Sequence, residues 1–155
     1  MTYRVAVRVL ALLGVAISIA ACAATAGATT PATANLRLDG IVLHPELALT
    51  AAQRGRGLMF RKRAPSDGML FVFRTATSGG FWMKNTVVPL KIVFFDSAGR
   101  QVRTMRMTPC EKDPCRIYDP GRQYRFALEL PSSDQRQASR IGPPAELKRL
   151  IAASS

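Results

Sequence analysis

The chain has 155 residues, 48% hydrophobic and 21% charged, with a formal net charge of +12 at pH 7. Setting aside an N-terminal leader and linker leaves about 120 residues, the size of one ordinary domain with a real core. So cationic a chain raises nucleic acid as a partner, but no basic motif interleaved with aromatics, no internal repeat and no phosphate-cradling glycine motif is present, and nucleic acid is set aside.

Arg4 and Arg8 precede an apolar run over 9–21 that only Ser18 interrupts. About 13 such residues fall short of the roughly 20 that span a bilayer. They match the apolar core of a secretory signal, assigned to 1–21. A buried N-terminal helix would show a polar face, and this run has none. Ile19-Ala20-Ala21-Cys22 has the form of a bacterial lipobox, which would make Cys22 a lipid-modified membrane anchor. Ordinary cleavage is also open, because Ala21-Cys22-Ala23, Ala24-Thr25-Ala26 and Ala26-Gly27-Ala28 all have the Ala-x-Ala form. Residues 22–35 are mostly small, lack periodicity and read as a flexible tether. The expected location is extracytoplasmic, in the periplasm or cell envelope, free or lipid-anchored. Without Arg4 and Arg8 the charge is about +10, which suits anionic lipid headgroups or acidic envelope polymers, or simply a solvated basic surface.

The main domain is expected over 36–131. Residues 36–43 partly alternate and predict a first strand, and 46–49 a short second one. Thr50-Ala51-Ala52-Gln53 has capping-box form, so a helix should begin at Thr50. Ala51, Ala52, Leu58 and Met59 would face the core, Arg54 and Arg61 would ride outside, and Gly55 and Gly57 would keep the helix short. Asp67-Gly68 turns the chain into a strand over 69–73. The segment 79–95 holds the one Trp and three of the seven Phe, with a Lys-Asn-Thr step between two apolar runs. It predicts two central strands, 81–83 and 87–96, joined by a turn. Ser97-Ala98-Gly99 leads to a strand over 101–107, and 123–130 forms the last.

In the extension 132–155, Ser132-Ser133-Asp134 would cap a short helix, Pro143-Pro144 would break the chain, and 146–152 would form a terminal amphipathic turn or two. Many short strands with helices at the margins define a mainly β class, a small sandwich or barrel with one or two short helices.

Cys110 and Cys115 flank four residues that include a Pro, and a compact turn can bring them within disulfide range. One distant His, His44, and no second Cys pair make a poor zinc set, and the Cys-x-x-Cys spacing of a redox pair is missing. The disulfide is preferred, and no metal or cofactor is expected.

Arg56-Gly57-Leu58-Met59-Phe60-Arg61, Gly68-Met69-Leu70-Phe71-Val72-Phe73 and Phe81-Trp82-Met83-Lys84-Asn85-Thr86 with Pro89-Leu90 together resemble domain-of-unknown-function family number 192. Pro109-Cys110 with Cys115 and Tyr118, and Leu128-Glu129-Leu130-Pro131, fit the same pattern, so the resemblance runs from Leu36 to Pro131. It implies a mainly β, jelly-roll-like domain, often exported, with no established biochemical activity. Two departures stand out. The family usually carries an acidic residue after the Pro-Leu, where this chain has Lys91, which puts any role for that carboxylate in doubt. Its usual late Gly-Asp is replaced by Gly142-Pro143-Pro144, which predicts a differently built C-terminal edge.

Arg56, Arg61, Lys84, Asn85, Thr86 and Glu129 are the polar residues inside these apolar segments. Arginine grips a carboxylate or phosphate with two prongs and lysine adds a point charge. Asn85 and Thr86 could orient a ligand, and Trp82 with Tyr118 could form a rim for a sugar or aromatic group. Each has a structural alternative: Arg56 or Arg61 could brace the fold against Glu46 or Glu129, Asn85-Thr86 could be turn chemistry, and Trp82 could be core. With one His and no obvious nucleophile, a triad has nothing to stand on. The expected function is a non-enzymatic envelope module that binds an anionic or glycan-like ligand or a protein partner. The alternative is a hydrolase of envelope polymer with Glu46 or Glu129 as acid or base.

Overall fold

A computed structural model describes residues 32–155. The expected signal at 1–21, Cys22 and the first part of the 22–35 tether lie outside the described residues. Thr33 bridges to Glu46 and the Leu47 amide donates to the Ala32 carbonyl at 2.8 Å, so the chain runs along the sheet edge before its first strand.

The architecture is mainly β, as expected. Asp39 and Gly40 hold φ of 48° and 88°, the pairing of a two-residue hairpin turn. The single strand expected over 36–43 is therefore a hairpin, β1 (Leu36–Leu38) with β2 (Ile41–Leu43). β3 (Glu46–Ala48) follows, then α1 (Ala51–Arg56), which the predicted capping box starts. Thr50 Oγ1 accepts from the Gln53 amide at 3.2 Å, and Gln53 Oε1 from the Thr50 amide at 2.9 Å.

The orientation of this helix differs from expectation. None of its residues is buried, Ala51 and Ala52 face solvent, and Arg54 turns inward. The Arg54 guanidinium donates to the Leu49 and Val72 carbonyls at 2.6 and 3.0 Å. Six residues offer too little apolar surface to pack, so hydrogen bonds anchor the helix while Leu58, just beyond it, fills the core.

The remaining strands are β4 (Met69–Thr77), β5 (Phe81–Trp82), β6 (Leu90–Phe95), β7 (Gln101–Met107), β8 (Ile117–Tyr118) and β9 (Tyr124–Pro131). The main sheet has five strands in the order β3-β4-β9-β6-β7, with only the β3–β4 pair parallel. β3 and β7 are its open edges, so the sheet is not a barrel. The expected pairing of 81–83 with 87–96 is not found. β5 leaves the main sheet to pair with β8, while β6 lies between β7 and β9. The two residues of β8 are too few to carry a period, which is why the pattern missed it.

Both faces of the sheet are covered, giving a sandwich-like stack of layers. On one face Leu70, Val72, Val93 and Leu128 lie under the β1–β2 hairpin and α2 (Pro144–Ala153). On the other, Phe71, Ile92, Phe94 and Ala127 lie under Leu58, Met83, Phe81 and Tyr118. A strand covered twice has no solvent side, so β6 is buried at every position and reads as a nearly unbroken apolar run. Phe81 stands edge-on to Phe71 at 4.9 Å and to Phe94 at 5.6 Å, which fixes β5 over the sheet.

Pro143 and Pro144 start α2 instead of breaking the chain, since a proline in the first turn lacks only an amide that has no helical partner. Asp134 starts no helix. Its carboxylate accepts from the Arg136 amide at 2.8 Å and from Lys91 Nζ at 3.1 Å. Cys110 and Cys115 are disulfide-bonded, with their Cα atoms 5.8 Å apart.

Candidate functional site

The end of α1, the β5 strand and the C-terminal part of β9 meet around a narrow cleft of about 30 Å³. Its walls include Arg54, Arg56, Trp82 and Thr86, and Glu129 lies among its lining residues. Gly57, at φ 46°, ends α1 against the Phe71 ring, where an added Cβ would come within 3.3 Å of Cζ. A larger, shallower groove of about 330 Å³ adjoins the cleft across Arg54, Phe81 and Trp82, and continues over Phe73, Thr77 and Tyr124. Burial pushes the Tyr124 phenol up to about 12, so it stays protonated at neutral pH.

Glu129 is the unusual member. It pairs in register with Met69 on β4 and Ile92 on β6, in the centre of the sheet, and is 4% exposed. Burial pushes its carboxyl up to about 8. No hydrogen bond or ion pair holds that carboxyl among the described residues. Below that pH the group is a neutral acid, able to donate as well as accept. Gly68 backs onto the same strand, and a Cβ there would sit 2.0 Å from the Glu129 carbonyl oxygen.

The predicted residues separate into two groups. Arg56 is exposed beside the cleft and its guanidinium has no partner among the described residues. Trp82 is 46% exposed and forms a wall shared with the groove. Thr86 is 6% exposed and also lines the cleft, with its Oγ1 3.5 Å from the Lys84 carbonyl. Lys84 stands over the Trp82 ring, 5.5 Å from its centroid, and pairs with Asp113 at 2.5 Å.

Arg61 takes the bracing role. It grips Glu46 with two hydrogen bonds of 2.7 Å each and is not part of the cleft wall. Glu46 is thereby paired with Arg61 and is not among the residues that line the cleft. Asn85 is turn chemistry: it holds φ 58° and its carbonyl accepts from the Phe60 amide at 2.8 Å. Tyr118 is no rim residue. It is buried and pairs with Phe81, and its hydroxyl accepts from the Thr108 amide at 3.0 Å.

Sequence reasoning missed Arg54, assigned to the outer side, and Asp113, which reaches Lys84 because Lys84 bridges to Cys110. No local pattern signals that long-range bridge. Lys91 lies on the opposite face from the cleft, beside Val93 in a separate cavity. Its Nζ donates to the Asp134 and Arg136 carbonyls at 2.8 and 3.1 Å.

The fold and this site define a layered β-domain with an aromatic and arginine-walled cleft over a buried carboxyl. The profile of domain-of-unknown-function family 192 (DUF192), described as an uncharacterized ACR, matches residues 34–143, and the chain belongs to that family. A crystal structure from Sinorhizobium meliloti 1021, provisionally described as a transcription regulator, is similar at 30% identity and a TM-score of 0.65. The match covers 75% of this chain and 97% of that one. A protein of unknown function from Novosphingobium aromaticivorans DSM 12444 shares the fold at 24% identity and a TM-score of 0.62, covering 75% and 94% of the two chains. No curated protein matches the chain.

Proposed function

We propose that the protein is a non-enzymatic binding module of the cell envelope, exported and either free or anchored through Cys22, that holds an acidic, sugar-like ligand in the groove beside Trp82. The ring of the ligand lies on the indole, and one substituent enters the cleft. A volume of about 30 Å³ admits a single small group there. The observation that carries this reading is Glu129, a buried carboxyl raised by desolvation and without a partner among the described residues, which lines a cleft walled by arginine. A ligand hydroxyl satisfies Glu129, and Arg56, which has no side-chain partner among the described residues, meets a ligand carboxylate or phosphate.

The hydrolase alternative is weaker on two grounds. Arg61 occupies Glu46, and among the described residues the cleft walls offer no second carboxylate to work opposite Glu129. Calorimetric titration with trigalacturonate and with neutral tri-N-acetylglucosamine tests the proposal. The acidic trimer should bind more tightly, Arg56→Ala should erase that preference by about tenfold, and Trp82→Ala should weaken both. Absence of binding by both trimers, or binding untouched by either substitution, refutes it. Shortened sugars that disappear with Glu129→Gln would establish the hydrolase instead.

A further inference from the structure

Six large apolar side chains are left exposed among the described residues, and four of them, Phe60, Trp82, Val87 and Ile117, gather around the turn at 83–86. Trp82 and Ile117 are opposite partners in the β5–β8 pair, so both point outward on one side. The Phe60 amide is bonded to the Asn85 carbonyl, which brings Phe60 beside this turn, and Val87 follows it directly. Phe60 also holds φ 63°, a conformation that a bulky aromatic rarely adopts, and is 68% exposed. The packing of the domain makes little use of that ring.

Cations adjoin the patch. Lys62 and Arg63 are exposed and follow Phe60 closely in sequence, Arg56 lines the cleft with Trp82, and Lys84 stands over the Trp82 ring. The exposed acidic groups nearby in sequence are Glu111 and Asp113 of the disulfide loop, with Asp113 paired to Lys84, and Asp119 two residues beyond Ile117. Exposed apolar tips beside free cations fit a lipid interface, where rings and aliphatic groups enter the headgroup layer and cations meet phosphates. A protein partner would instead favour a continuous apolar core with charges pushed to the rim.

We propose that this face docks on an anionic bilayer, with Phe60, Val87 and Ile117 entering the headgroup region and Trp82 at its margin beside the cleft, while Lys62 and Arg63 contact lipid phosphates. The contact belongs to the folded domain and is separate from any anchor at Cys22. It places the mouth of the cleft at the membrane surface.

The sole tryptophan makes the test specific, because emission from Trp82 reports this face whatever the N-terminal segment does. The full chain carrying Cys22→Ser is mixed with phosphatidylcholine vesicles, with or without phosphatidylglycerol, some brominated on their acyl chains. With phosphatidylglycerol, emission should shift to the blue and be quenched by bromine. Phe60→Ser with Val87→Ser should weaken that response about tenfold or more, as expected for withdrawing a large apolar side chain from the interface. Lys62→Glu with Arg63→Glu should weaken it too.

Unchanged emission with phosphatidylglycerol vesicles overturns the proposal, as does quenching that the Phe60/Val87 variant leaves intact. A vesicle-free dimer that the same variant dissociates would show that a second copy covers the face, and would also overturn it. Neither Phe60 nor Val87 lines the cleft, so trigalacturonate titration of that variant keeps the fate of the ligand reading separate.

Discussion

Replacing Glu129 with glutamine keeps the shape of a buried side chain and removes its ionisation. In the folded protein the carboxyl sits at about 8, against 4.5 in an unfolded chain. Between those values the unfolded chain gives up the proton and the folded chain keeps it, so the contribution of this group is most favourable at acid pH and falls as pH rises. Each unit in the middle of that window removes about 1.4 kcal/mol, so this one group lowers stability by about 3 kcal/mol from pH 4.5 to 7 and by about 4 kcal/mol by pH 8. The glutamine variant lacks this slope. Urea unfolding of both proteins at several pH values should therefore show their free energies diverging by about 3 kcal/mol between pH 5 and 7.5, in favour of the variant at the alkaline end. Other titrating groups are common to both and cancel. Parallel profiles would mean that Glu129 is solvated or paired, and the neutral floor of the cleft would be lost with it. Binding offers a second check, since an ionised Glu129 no longer donates and repels an acidic ligand. Affinity for trigalacturonate should decline near pH 8 in the parent and stay level in the variant.

Arg61→Ala frees a partly buried Glu46 from its two-pronged partner and should cost about 1–2 kcal/mol in urea unfolding, with Arg61→Lys recovering only part because it cannot reproduce both bonds. Gly68→Ala forces a side chain onto a backbone at φ 77° and within 2.0 Å of the Glu129 carbonyl, so thermal unfolding should register a loss of at least about 2 kcal/mol. Lys91→Met removes a buried cation, 8% exposed, from Asp134 and should destabilise by about 1–3 kcal/mol, while calorimetry finds trigalacturonate affinity unchanged.

Much of the sheet is visible in the residues because the physics there is local. The capping box at Thr50 and Gln53 declares itself in four letters, and β7 falls on its predicted residues, 101–107. The Asp39-Gly40 pair also carried a hairpin signal, but with only three residues on each side the alternation looked like one strand. What stayed hidden depends on distance along the chain. β5 looked like a partner of β6 because the two adjoin in sequence, yet Phe81 is drawn out of the sheet by the aromatic groups of Phe71 and Phe94. The polar residues behaved likewise. Arg56, Trp82, Thr86 and Glu129 come together, but the local pattern could not say that Glu46 would claim Arg61 or that the disulfide loop would deliver Asp113 to Lys84.

The same sheet geometry resolves the departure at position 91. Lys91 is opposite Leu130, and Ile92 is opposite Glu129. Side chains alternate along a strand while cross-strand partners share a face, so Ile92 and Glu129 point toward the cleft and Lys91 points away from it. A carboxylate at position 91 would not reach Glu129 from there, nor complete an acid–base pair with it. It would instead stand beside Asp134, where the lysine now holds two carbonyls and a carboxylate. The substitution thus changes how the segment after β9 is fastened to the sheet. Glu129, Arg56 and Trp82 lie on the other face, and position 91 is not among the residues that line their cleft.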